Sequence, residues 1–153
     1  MTRIDFYFNA PDKLGVAATL ARKAYAKKNR LLVYTRNAAQ LDAFDKLLWT
    51  VPATGFLPHC RLGSKLAGET PVVLSGDAQM DAGSMPHHDV LMNLDDECPA
   101  NFSRFERVVE IVSRDDGDDR LRARARHKFY RDRGYEIVTT DIATLKSAAK
   151  EPA

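Results

Sequence analysis

Leu31-Leu32-Val33-Tyr34-Thr35 is a nearly continuous apolar run, followed at once by the polar pair Arg36-Asn37. A run without polar alternation fits a strand covered on both faces, as the strands of a parallel sheet are. Upstream, Leu14, Ala17, Ala18, Ala21, Ala24 and Tyr25 recur at helical spacing between Asp12 and Lys28. Before them stands a short β-rich run, Ile4-Asp5-Phe6-Tyr7-Phe8, ended by Asn9-Ala10-Pro11. Downstream, Asn37 can cap a helix reaching to about Trp49, with Leu41, Phe44, Leu47 and Leu48 on its apolar side. The order strand, helix, strand, helix predicts a mainly parallel sheet covered by helices.

Further strands are predicted at Val72-Val73-Leu74-Ser75, over 89–94, at Val108-Val109-Glu110-Ile111-Val112 and over 135–140, with a short helical segment around Phe102–Phe105. The stretch from Thr50 to Thr70 contains Pro52, Gly55, Pro58, Gly63 and Gly68 and reads as irregular. It nevertheless carries Phe56, Leu57 and Leu62, which either pack back on the domain or wait for a partner. The fold expectation is an α/β protein: a three-layer α/β/α sandwich, Rossmann-like in its mainly parallel central sheet, in one domain over 1–146, with 147–153 as a fraying tail.

The basic residues are unevenly distributed. The segment from Arg120 to Arg133 holds seven of the chain's 23 Lys and Arg residues and one acid, Asp132. It reads as a helix capped by Asp118 or Asp119 and stopped by Gly134. Leu121, Ala125 and Phe129 stand four apart and form an apolar stripe able to face a core. Arg120, Arg124, His127, Lys128 and Arg131 form a second stripe. Charge runs are commonly solvated faces. Here Arg outnumbers Lys six to one, and the planar guanidinium suits carboxylate or phosphate. An anionic partner is the sharper expectation.

Composition places few other demands. At 153 residues the chain suffices for one core, and its formal net charge is only +2. No apolar run approaches the roughly 20 residues that span a bilayer. Two cysteines, Cys60 and Cys98, make no CxxC, so a cytoplasmic location is the default expectation. No GxGxxG follows Phe8 or Thr35, no P-loop surrounds Gly63-Ser64-Lys65, and no GxSxG is present. His87-His88-Asp89 lacks a convergent third ligand, His59-Cys60 are chain neighbours that make a poor catalytic pair, and Asp95-Asp96-Glu97 reads as an exposed acidic turn.

The block from Leu41 through Trp49, Pro52, Phe56 and Pro58 to His59 resembles the signature segment of the chi subunit of bacterial DNA polymerase III holoenzyme. Phe6-Tyr7-Phe8, the run 108–112, and Arg124-x-Arg126-x-Lys128-x-Tyr130-Arg131-x-x-Gly134-Tyr135 are similar to the same family, from about residue 4 to 142. The resemblance implies a non-catalytic accessory protein without cofactor or metal. It implies two partners: the acidic C-terminal tail of single-stranded DNA-binding protein, and the psi subunit of the clamp loader or, in some bacteria, a helicase-like protein on the same surface. Arg124 matches the family arginine for the terminal carboxylate of the tail, Arg120 and Lys128 match basic positions on the same helix, and Val112 matches an apolar residue beside the pocket. Trp49 and Phe56, with Pro58 alongside, match the psi-facing surface. His127 stands where some members have Tyr, and the acidic run 115–119 is unusual beside a site for an acidic tail. The alternative expectation is direct binding of single-stranded nucleic acid by the basic helix. That mode normally adds aromatic stacking platforms, and only Phe129 and Tyr130 qualify.

Overall fold

The computed structural model describes residues 2–50, 57–62, 64, 66, 69–76 and 87–144. The elements in chain order are β1 (Arg3–Ala10), α1 (Lys13–Ala26), β2 (Leu31–Tyr34), α2 (Ala38–Thr50), β3 (His59–Arg61), β4 (Val72–Ser75), β5 (Val90–Asn93), a 3₁₀ turn (Phe102–Arg104), β6 (Arg107–Ser113), α3 (Gly117–Asp132) and β7 (Glu136–Asp141). The strands form one sheet in the order β3-β4-β2-β5-β6-β1-β7, and every pairing is parallel. This is the α/β architecture expected from the apolar run at residues 31–35.

Side chains alternate across the sheet, and each face has its own core. Leu31 and Val33, with Val72, Leu74, Met92 and Ile111, pack under α1 and α2. The buried positions of α1 are Ala17, Ala18, Ala21 and Ala24, small enough to bring its backbone close to the sheet. From α2 come Leu41, Phe44 and Leu48. Leu32, Tyr34, Leu91 and Val108 point the other way, with Ile4 and Phe6, and meet Phe102, Phe105, Ala123 and Tyr130. The helices therefore form the two outer layers of a three-layer sandwich.

The helix caps follow local chemistry. Asn37 Oδ1 accepts from the Gln40 N–H at 3.1 Å, as its position predicts. For α3 the cap is Asp116, not Asp118 or Asp119: its carboxylate accepts from the N–H groups of both those residues. Asp118 and Asp119 then occupy the first turn, where the helix dipole favours negative charge. Gly134 takes φ +79° beyond the end of α3, with space around its α-carbon. The left-handed backbone, not crowding, favours glycine there.

Three expectations need correction. The stretch between Thr50 and Thr70 is not wholly irregular. It contains β3, a three-residue edge strand paired to β4, preceded by the buried Leu57. Asp95 is not part of an exposed turn. It is buried and receives a bond on each carboxylate oxygen from the Arg36 guanidinium, Nε to Oδ1 at 3.2 Å and Nη2 to Oδ2 at 2.8 Å. The core face of α3 is Asp119, Ala123, Arg126 and Tyr130, whereas Leu121 is 61% exposed and Ala125 is exposed. Phe129 is half-buried, with the Arg133 guanidinium 3.6 Å above its ring. The tail over 147–153 lies outside the described residues.

Two buried aspartates anchor the C-terminal edge of the sheet. Burial opposes the charge of Asp95, but Arg36 and the backbone N–H groups of Arg36 and Glu97 outweigh it and hold its pKa below the usual value. Asp119 is likewise held low: burial is overcome by Lys13 at 2.8 Å and the Ser113 N–H at 2.8 Å. A carboxylate with a depressed folded pKa stabilises the fold above the unfolded value of about 3.9, and that contribution is lost as pH falls through the lower folded value. Denaturant titrations at pH 7 and pH 2.5 should therefore show a smaller acid penalty for Asp95→Asn than for the wild type. Equal penalties would remove Asp95 from the acid response.

Candidate functional site

α3 is held on the sheet by a buried polar network. Glu110 projects from β6 and is fully buried. One of its oxygens accepts from Arg126 Nε at 2.9 Å, and the other from Tyr130 Oη at 2.7 Å and Asn93 Nδ2 at 2.9 Å. Arg126 Nη1 continues to the Asp96 carbonyl at 3.0 Å. Burial works against the Arg126 charge, but Glu110 outweighs it and the guanidinium pKa is raised. Burial and the adjacent Glu110 push the Tyr130 hydroxyl far above its ordinary range. Burial likewise pushes the Cys98 thiol up to about 11, which keeps it in the unreactive thiol form.

The helix so placed borders an open hollow of about 240 Å³, lined by Phe6, Phe8, Val112, Arg120, Ala123, Arg124, His127 and Thr139. Phe6 and Phe8 stand two apart in β1 and share a face. Val112 comes from the neighbouring β6, and the His127 ring lies 5.2 Å from that of Phe6. The result is an apolar hollow bordered by Arg120 and Arg124 of α3. Arg122 pairs with Asp96, Arg126 with Glu110, and Arg131 approaches Asp132 at 3.8 Å. Among the described residues, Arg120, Arg124 and Lys128 form no ion pair.

Of the six residues expected at this site, Arg120, Arg124, His127 and Val112 come together around the hollow. Lys128 and Arg131 are exposed on α3 outside its lining. Phe6, Phe8, Ala123 and Thr139 were not singled out from the sequence as site residues. The signal available for two of them was the i, i+2 spacing of Phe6 and Phe8.

The second expected surface centres on Trp49, at the end of α2. It is 61% exposed, with its ring centroid 4.7 Å from that of the buried His59. Both His59 nitrogens face acceptors, the Leu57 carbonyl at 2.7 Å and Asp45 Oδ1 at 2.9 Å, so the ring under Trp49 is fixed. His59 is thus a structural support and does not form a pair with Cys60. Pro58 is half-buried beside it, and Phe56 lies outside the described residues.

The crevice at the C-terminal ends of the strands is where open α/β sheets commonly bind ligands. Here it measures about 270 Å³ and is lined by polar groups that include Lys13, Asp95, Asp119 and Arg122. Lys13 is engaged by Asp119, and the N-termini of α2 and α3 are capped by Asn37 and Asp116. Backbone donors at the starts of α2 and α3, which could otherwise face an anion, thus bond the protein's own side chains. Among the described residues, no group of three or more His, Cys, Asp or Glu side chains could hold a metal ion, and no helix is long and apolar enough to cross a membrane.

The fold and these two surfaces define a parallel α/β domain with an arginine-walled apolar hollow on one helix and an exposed aromatic on another. Residues 1–138 match the family model described as DNA polymerase III chi subunit, HolC. Three proteins named DNA polymerase III subunit chi are similar to the chain. That of Pseudomonas aeruginosa is 33% identical over 143 residues, covering 90% of this chain and 94% of its own. That of Haemophilus influenzae is 26% identical over 83% of this chain and 85% of its own, and that of Escherichia coli 28% identical over 78% and 79%. The chain belongs to the chi subunit family of DNA polymerase III, and its setting is DNA replication.

Proposed function

We propose that the protein is a non-catalytic accessory subunit of the cytoplasmic clamp-loader complex, and that it links that complex to single-stranded DNA-binding protein by holding the latter's acidic C-terminal tail. The observation that carries this reading is the apolar hollow with Arg120 and Arg124 at its wall. A C-terminal peptide offers a carboxylate and an apolar last side chain. Arg124 supplies the planar fork, and Phe6, Phe8 and Val112 supply the apolar wall. Lys128 and Arg131 sit outside the hollow and act by attraction at a distance. Affinity should be on the order of micromolar, because a flexible tail is ordered on binding. Parallel titrations with a labelled acidic tail peptide and a labelled single-stranded oligonucleotide test it. Saturable binding of the peptide alone supports the reading, and binding of the oligonucleotide alone replaces it with direct nucleic-acid recognition.

Salt sensitivity follows from the same layout. Exposed charges are screened beyond a Debye length of about 8 Å at physiological salt. Lys128→Ala should slow association with the tail more than it speeds dissociation, with a shallower dependence on salt. Stopped-flow traces in which only dissociation changes would contradict a steering role.

The Trp49 surface, with Phe56 and Pro58, is proposed to bind the psi subunit or a helicase-like partner. The exposure of Trp49 above a fixed His59 supports this, since a held aromatic suits an interface anchor. Phe56→Ala should abolish capture of that partner and leave tail affinity unchanged. A folded variant that loses both partners together would end the two-site reading.

A further inference from the structure

α3 turns inward the less apolar of its two possible faces. Leu121, Ala125 and Phe129 would make an apolar contact with the sheet, yet Leu121 and Ala125 face solvent. The inward face is Asp119, Ala123, Arg126 and Tyr130. At 100° per residue the two faces are centred roughly 130° apart. Hydrophobic burial alone pulls Leu121 toward the sheet. Polar geometry opposes that pull. Arg126 is 3% exposed and bonds both Glu110 on β6 and the Asp96 carbonyl after β5, while Tyr130 shares Glu110. A guanidinium bonded in two directions fixes both the rotation of the helix and its position along the sheet. Buried ionic groups are best attested in this role of setting register. Arg120, Arg124 and His127 lie roughly 100° round the helix from the buried face, so their approach to the hollow depends on that rotation.

We propose that the buried Glu110–Arg126 pair is a positioning device for the anion-binding face of α3, holding Arg120, Arg124 and His127 against the Phe6–Phe8–Val112 hollow and opposing the pull of Leu121 toward the sheet. Its functional half rests on the tail-binding reading, and its structural half does not. Arg126→Met with Glu110→Gln removes both charges and leaves an acceptor for Tyr130 and Asn93. The probe is a fluorescent peptide of three aspartates and a terminal phenylalanine with a free carboxylate. Rotation is read without any ligand, from the rate at which a thiol introduced by Ala125→Cys, on the same outward face with Leu121 kept, is alkylated, measured against the same chain lacking that substitution. The double variant should unfold cooperatively, lose at least tenfold in peptide affinity and protect position 125 at least fivefold. Adding Leu121→Ser to the double variant should recover most of the affinity, because the competing face is gone. A folded double variant that alkylates at the wild-type rate overturns the proposal, whatever its affinity, and protection at 125 with unchanged affinity overturns the functional half. If the double variant does not fold, Arg126→Lys gives the decision: affinity and accessibility at 125 should fall together, and a fall in affinity alone overturns the proposal. A wild-type protein that ignores the peptide refutes the tail reading, and the alkylation rates still decide the rotation.

Discussion

Glu110→Ala should cost about 3–5 kcal/mol of folding stability, the usual consequence of stranding one member of a buried ion pair. The substitution leaves Arg126 without its counter-charge at a position 3% exposed, and takes the acceptor from Tyr130 and Asn93. Unfilled space adds to the loss. Chemical denaturation followed by circular dichroism measures it. A loss under about 1 kcal/mol would mean that water or a rearranged neighbour replaces Glu110. The contrast with Glu110→Gln combined with Arg126→Met is informative, because removing both charges together is often close to neutral.

Arg124→Ala should weaken binding of an acidic C-terminal tail by about 1.5–3 kcal/mol, roughly ten- to hundred-fold in Kd, as for loss of charge-assisted hydrogen bonds to a carboxylate. Arg124 is exposed and among the described residues has no ion-pair partner, so its removal leaves the fold intact. Calorimetry on the folded variant is the measurement. Wild-type affinity would remove Arg124 from the site. Arg124→Lys should fall between the two, since an ammonium keeps the charge and loses the fork.

The fold was legible wherever one physical signal dominated. The unbroken run at residues 31–35 announces a strand covered on both faces, and the alanines of α1 announce close packing against a sheet. β3 was not legible, because three residues between proline and glycine carry too little pattern to stand out. The basic helix was found, and its rotation was misjudged. Hydrophobicity points to Leu121, Ala125 and Phe129, whereas the buried face is decided by partners more than ten residues away in sequence, Glu110 and the Asp96 carbonyl. For the same reason a buried Arg126 cannot be told from its exposed neighbours by residue type. The hollow proposed as the site was legible in part, as charge and as family resemblance at Arg120, Arg124, His127 and Val112, the four expected residues that line it. Its apolar floor was not, because Phe6, Phe8 and Thr139 come from strands separated by more than a hundred residues.

The place of β1 in the sheet also bears on how the chain comes off the ribosome. Its partners are β6 and β7, with Ile4 opposite Val108 and Ile137. β1 therefore has no neighbour in the sheet until β6, about a hundred residues later, has been synthesised. Contacts of such sequence separation close slowly, because the loop entropy precedes the gain. Meanwhile Ile4, Phe6 and Phe8 form a β-prone apolar edge exposed to every other nascent chain. Helper proteins at the exit tunnel would have most reason to meet this polypeptide at β1, the strand that waits longest.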